Sequence, residues 1–308
     1  MAELDQARAF ASLVRLSEDV PGSSLELGGF RGRERHKDAM LRNGLLISES
    51  VTPAIEQRLR IVCDRLRIPR SCVSAFVYNA PNIQADCLID SPKTCVLRFS
   101  SGLVNLMDAK EFQFVAGHEL GHFLLDHGAC SQYIAEDSSE GYIVQRAREL
   151  SADRIGYLAV DDLDESIQSI IKTVSGLGDE HLRFDVSAFL NQATLLANPR
   201  RGEARTSSHP SMLMRCRALM WFSMGIKSLS DLDNISSHEL SIIDEKVSKD
   251  LEKYVDGEAD VVDYEKIINE FALMRNKWLG LLKGLDQKQW QITNVVKLRV
   301  AGMEDASL

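Results

Sequence analysis

The order of patterns along this chain predicts an α+β fold, mainly helical with a small sheet of three or four strands. Two observations carry that expectation. β-like runs are confined to one early stretch, between residues 72 and 100, and apolar residues at helical spacing dominate from Asp108 onward. Strands that come early and helices that come late argue against a doubly wound sheet, in which the two would alternate. No internal repeat interrupts this order.

The elements follow in sequence. Ala7 to Leu16 reads as a short helix, closed by the Pro/Gly/Ser-rich "VPGSSLELGG". The basic run "RGRERHK", Arg31 to Lys37, reads as a solvated helix face. From Ala54 to Leu66 the apolar residues Ile55, Leu59, Val62 and Leu66 share one side of a helix that stops near Pro69. Two strand-like runs follow, "CVSAFVYN" (Cys72 to Asn79) and "TCVLRFS" (Thr94 to Ser100). Between them lie "ADCLID" and the turn signal "DSPK" at Asp90 to Lys93. Helical periodicity then covers 108–127, 140–160, 164–175, 184–196, 211–222 and several segments after 236. Leu229 to Glu270 holds 13 acidic residues against 4 lysines, yet Leu240, Ile243, Val247, Leu251 and Tyr254 form a stripe, so it reads as an amphipathic acidic helix. The expected organisation is an N-terminal extension at 1–45, a central domain at 46–228 and an acidic helical C-terminal extension at 229–308.

Totals limit the partners. The net charge of −9 disfavours coating of nucleic acid or of an anionic membrane. The six cysteines include no CxxC pair and read as reduced thiols. "MAELDQARAF" has no apolar core of a signal peptide, and the longest uncharged stretches fall short of the roughly 18 apolar residues that a membrane span needs. A soluble, cytoplasmic protein with no nucleic-acid or membrane partner is expected.

The stretch "GHELGHFLLDH", Gly117 to His127, places ionisable side chains in a run that is otherwise apolar. In a helix, His118 and His122 lie one turn apart on the same face and can share one small cation. Zinc suits two imidazoles, and Glu119 stands where it can take a proton from a water on the metal. Gly121 leaves room for a second helix to approach. Metzincins would need a glycine at 125 and a histidine at 128, where this chain has Leu125 and Gly128, so the third ligand lies elsewhere. His127 is off the histidine face and is expected to play a structural part near the helix end, where a cationic imidazole suits the helix dipole. Downstream, "RARELSADRIGYLAV" puts Glu149 and Asp153 on one helical face. Read alone, such a pair is a solvated turn bridging to Arg148 or Arg154. Following HExxH, Glu149 reads as the third ligand and Asp153 as the acceptor of a ligand histidine's outer N–H, with Ala152 keeping the surface thin.

Three motifs in this order, "FVAGHELGHFLLDH", "RELSADRIGYLAV" and "SSHPSMLMRCRAL", resemble the gluzincin metallopeptidases of the HtpX and CAAX-prenyl-protease type, metallopeptidase family 48. The upstream "YNAPNIQADCLID" and "TCVLRFSSGLVNLM" resemble the strand pair that precedes the zinc helix there, and the likeness covers roughly residues 50 to 225. It implies a zincin catalytic domain with one zinc per chain on His118, His122 and Glu149, with Glu119 as general base and Asp153 behind a ligand. It further implies that His209 stabilises the oxyanion and that Arg215 braces the site, although a histidine before proline is also an ordinary helix-start residue. The edge of the sheet within Asn82 to Ile89 would hold an extended substrate.

The activity this implies is that of a soluble zinc endopeptidase acting on proteins or peptides, without the transmembrane helices of the membrane-embedded members. Two alternatives stand beside it. One is a regulatory peptidase of the ImmA/IrrE type that cuts a repressor; the other is a catalytically weak, zinc-containing protein whose acidic C-terminal helices bind a regulatory partner. Either extension could also cover the cleft and hold the enzyme latent.

Overall fold

The computed structural model describes residues 2–20, 36–127, 139–183, 189, 209–225, 240–248 and 288–289. Two compact units divide the chain, Met1–Val255 and Asp256–Leu308, and every element named below belongs to the first. The fold is α+β, with one four-stranded mixed sheet among many helices.

The chain opens with α1 (Ala2–Leu13), whose Leu4, Ala7, Phe10 and Ala11 enter the main buried cluster. α2 (His36–Asn43) precedes the two-residue β1 (Leu45–Leu46), and α3 (Pro53–Arg65) starts with proline in its first turn, where a missing N–H costs nothing. The strands are β2 (Val73–Tyr78), β3 (Ala85–Ser91) and β4 (Thr94–Ser100), in the order β1-β2-β4-β3. β3 and β4 form an antiparallel hairpin around "DSPK", while β2 runs parallel to β4. β3 therefore sits at the edge, with one row of backbone groups unpaired by any strand among the described residues.

α4 (Ser101–Leu106) is capped by the Ser100 side chain, and α5 (Ala109–Leu124) by a reciprocal capping box between Asp108 and Glu111. α6 (Ser139–Val160) and α7 (Leu163–Ser175) follow. Asp162 caps the start of α7, and Gly176 ends it at φ 70°, a left-handed position where glycine carries no steric cost. The last long described helix is α8 (Met212–Gly225), and residues 240–248 are helical again. α2 and α4, with 8 and 6 residues, are too short to show a period and were not expected from sequence. Of the helix expected at 184–196, only residue 189 is described, and the greater part of the acidic C-terminal segment lies outside the described residues.

α5 runs through the centre of the core, with thirteen of its sixteen residues buried. Its closest partner is α6. That approach depends on small residues: a Cβ on Gly121 would meet Ala152 Cα and Ile155 Cβ, both at 3.1 Å, as expected for a glycine facing a second helix. A smaller cluster joins Leu16, Ala147, Leu150, Met214 and Ala218 to Ile243 and Val247 of the 240–248 helix. Among the described residues no helix is long and apolar enough to cross a membrane. Cys63, Cys72, Cys87, Cys95 and Cys216 are free thiols.

Candidate metal centre

α5 and α6 present three ligand-type groups to one point. His118 Nε2 and His122 Nε2 are 3.2 Å apart, as one helical turn allows. Glu149 Oε2 lies 3.4 Å from His118 Nε2, and Glu149 Oε1 lies 3.6 Å from His122 Nε2. Four-coordinate zinc with bonds of about 2.0 to 2.1 Å has tetrahedral edges of about 3.3 Å. The three spacings scatter about that value, so the donor set fits one zinc ion in both chemistry and size.

The groups behind the donors agree with that fit. His118 Nδ1 is 2.9 Å from Asp153 Oδ1, so its N–H donates to the carboxylate and the Nε2 lone pair faces the point of convergence. Arg215 in turn grips Asp153 from α8, Nε to Oδ2 at 2.8 Å and Nη2 to Oδ1 at 2.5 Å. Asp153 thus contacts His118 on one side and Arg215 on the other. Of the two alternative arginine partners for the acidic pair, Arg154 bonds Asp244 and Arg148 bonds backbone carbonyls.

The electrostatics of these groups favour a positive charge among them. Burial works against a charged His118, but hydrogen bonds to Asp153 and Glu149 carry it up to about 10. Burial alone would raise Glu149, yet the His118 hydrogen bond and the nearby imidazoles hold it well below the usual carboxylate range. Asp153 is likewise lowered, by Arg215, against its own burial. Buried carboxylates beside these imidazoles stay ionised only with a positive charge among them. A metal ion on the same lone pair supplies that charge in place of the proton on His118.

Glu119 is buried in the same helix, and burial pushes it up to about 7, with Glu149 and Asp86 adding to the rise and His118 opposing it. Its electrostatic neighbours include Asp86 and Cys87 of β3, so the edge strand lies beside the site. His209, on the segment before α8, has a 66% exposed side chain with Nε2 3.6 Å from Glu149 Oε1. It stands beside the three-donor set rather than within it. A second carboxylate group, Asp108, Glu111 and Glu165, has its buried member met by Lys172 Nζ at 2.7 Å.

His127 departs from expectation. Rather than a cationic residue facing away, it is a buried imidazole whose Nδ1 lies 2.8 Å from His122 Nδ1, and burial lowers its pKa despite Asp19 nearby. Helical extrapolation misplaces it because α5 has already ended at Leu124. Asp19, which reaches His127 from the N-terminal arm, gave no signal in the sequence at all.

The fold and these donors define the class: two helices on which an HExxH stretch faces a glutamate of the next helix, three groups that could hold one metal ion. The model named Peptidase family M48 matches residues 53–139, a span that holds His118, Glu119 and His122 and stops before Glu149. A curated relative, the plastoglobule-localized metallopeptidase 48, chloroplastic, of Arabidopsis thaliana, is 26% identical over 179 residues, covering 49% of this chain and 52% of that protein. The chain thus spans about half the length of that relative. No solved structure matches it to a significant degree. The likeness to metallopeptidase family 48 read from the motifs is borne out by both matches.

Proposed function

We propose that this protein is a zinc-dependent endopeptidase, with one ion per chain held by His118, His122 and Glu149. The observation that carries the reading is the triangle of donor spacings, 3.2, 3.4 and 3.6 Å, beside a buried carboxylate at Glu119. Bound there, zinc supplies Lewis acidity, acidifying a water and polarising a carbonyl.

The rest is the work of the chain. Glu119, with its pKa raised by burial to about 7, accepts a proton from the attacking water and returns it to the leaving amine nitrogen. Asp153, clamped by Arg215, keeps His118 in the tautomer that leaves Nε2 free. His209, at the mouth of the site, donates to the oxyanion of the tetrahedral intermediate. β3 receives an extended protein or peptide substrate on its free edge, where backbone pairing ignores side-chain identity. A cytoplasmic setting is supported by the five free thiols among the described residues.

The test compares wild type with Glu119→Gln for bound zinc and for cleavage of unfolded casein. Equal zinc, with turnover lowered by about 10²-fold or more in the variant, is expected. Zinc-free wild type, or cleavage indifferent to Glu119, would overturn the reading.

A further inference from the structure

α5 ends in a fold-back that returns His127 to His122. Asp126 takes a left-handed conformation at φ 63°, and the His127 N–H bonds the His122 carbonyl at 2.9 Å. With Leu125 as the cap, this is the six-to-one bond of a Schellman motif, which places the second residue past the cap beside the third from the helix end. An apolar pair usually meets there; here two imidazoles do. The next link is His127 Nε2 to Asp19 Oδ2, at 3.0 Å.

One proton assignment satisfies the whole chain with both rings neutral. If His122 Nε2 keeps its lone pair, then His122 Nδ1–H donates to His127 Nδ1, and His127 Nε2–H donates to Asp19. The reverse direction would turn a bare His127 nitrogen toward a carboxylate. Both outer members are sealed: the side chains of His127 and Asp19 are 3% and 0% exposed.

Asp19 has little other reason to be there. Its Oδ1 is buried without a hydrogen bond among the described residues, and the arginine paired with it among those residues, Arg15, has its Nε as far as 3.9 Å from Oδ2. A carboxylate buried with so few partners is a poor stabiliser, and a packed apolar residue would serve stability better. The arm that carries it is nevertheless tied to the site helices. Arg15 Nη2 donates to Leu125 O at 2.7 Å, and Leu16 N donates to Ser151 Oγ at 3.1 Å.

We infer that His127 and Asp19 are positioning residues for His122, a buried imidazole–carboxylate chain that orients one metal ligand from the N-terminal arm, as Asp153 orients the other from α6. The inference rests on the zinc reading above. It makes the segment before residue 45 part of the metal centre, since removing that segment removes Asp19.

The experiment uses the full-length chain as wild type, His127→Leu, His127→Gln, Asp19→Asn and the double variant Asp19→Asn/His127→Leu. Zinc affinity is read by competition with a chromophoric chelator, and the His122 tautomer by ¹⁵N NMR of the zinc-free protein, in which no metal fixes it. His127→Leu should bind zinc about 10- to 100-fold more weakly, with His122 no longer uniformly protonated at Nδ1. His127→Gln, whose side-chain oxygen can accept the same N–H, should recover most of the affinity, and Asp19→Asn should lose less than His127→Leu. The double variant leaves no stranded charge and decides the matter if His127→Leu does not fold. Wild-type affinity and unaltered His122 signals in His127→Leu, or in the double variant, would overturn the inference and leave the zinc reading standing. Wild type that binds no zinc would instead end the zinc reading.

Discussion

Alanine at Gly117 probes the contact that brings the two ligand helices together. A Cβ there would stand 2.5 Å from Ala159 Cβ and 3.1 Å from Gly156 Cα. Non-bonded carbons rest at about 3.5 to 4.0 Å, so α5 and α6 must part locally by about 1 Å. In an isolated helix this change stabilises by about 1 kcal/mol. Overpacking costs about 1 to 3 kcal/mol, which leaves a net loss of about 1 kcal/mol in the folded protein. The larger effect falls on the site. Parting the helices stretches the 3.4 Å His118–Glu149 spacing beyond the edge that one zinc ion spans, so the Glu149 bond weakens. The assays are urea denaturation of the zinc-free protein and chelator competition for zinc. Gly117→Ala should be less stable and should bind zinc at least about 10-fold more weakly. Adding Ala159→Gly, which removes the struck methyl, should restore part of both. A Gly117→Ala protein more stable than wild type, with undiminished zinc affinity, would refute the packing argument.

Three further outcomes are expected. Arg215→Lys replaces a two-point grip on Asp153 with a single ammonium, and chelator competition should show zinc affinity lowered by about 10-fold. His209→Ala removes a donor outside the three-ligand set, so kcat should fall by about 10²-fold while zinc affinity changes little in the same titration. Asp162→Ala removes the cap of α7 and should cost about 1 kcal/mol at neutral pH by urea denaturation. Burial opposes the charge on Asp162, but the Lys110 bond and the α7 backbone N–H groups outweigh it and lower its pKa. A depressed carboxyl stabilises above its unfolded value of about 3.9 and loses that contribution as pH falls through the folded value, so the difference from wild type should narrow below about pH 4.

Much of the architecture was legible in the chain because it follows from local period. The strand at Ala85–Ser91 and its hairpin to Thr94–Ser100 follow from β-type runs around a proline turn, and α5 from apolar residues at helical spacing that begin at about Asp108. α2 and α4 were not legible, since one or two turns give a period too little length to register. The edge position of β3 was anticipated only through a family likeness, because strand order depends on which surfaces each strand must cover.

The sequence by itself determined that His118 and His122 share one helical face, and that Glu149 and Asp153 share another, because a period of 3.6 residues leaves spacings of four no other arrangement. Only the tertiary structure decided that those two faces meet, since that depends on Gly117, Gly121 and Gly156 letting α5 and α6 touch. It alone also brought His127 and Asp19 to the site. A helix-ending turn cancels the period that sequence reasoning extrapolates, and 108 residues separate Asp19 from the imidazole it holds.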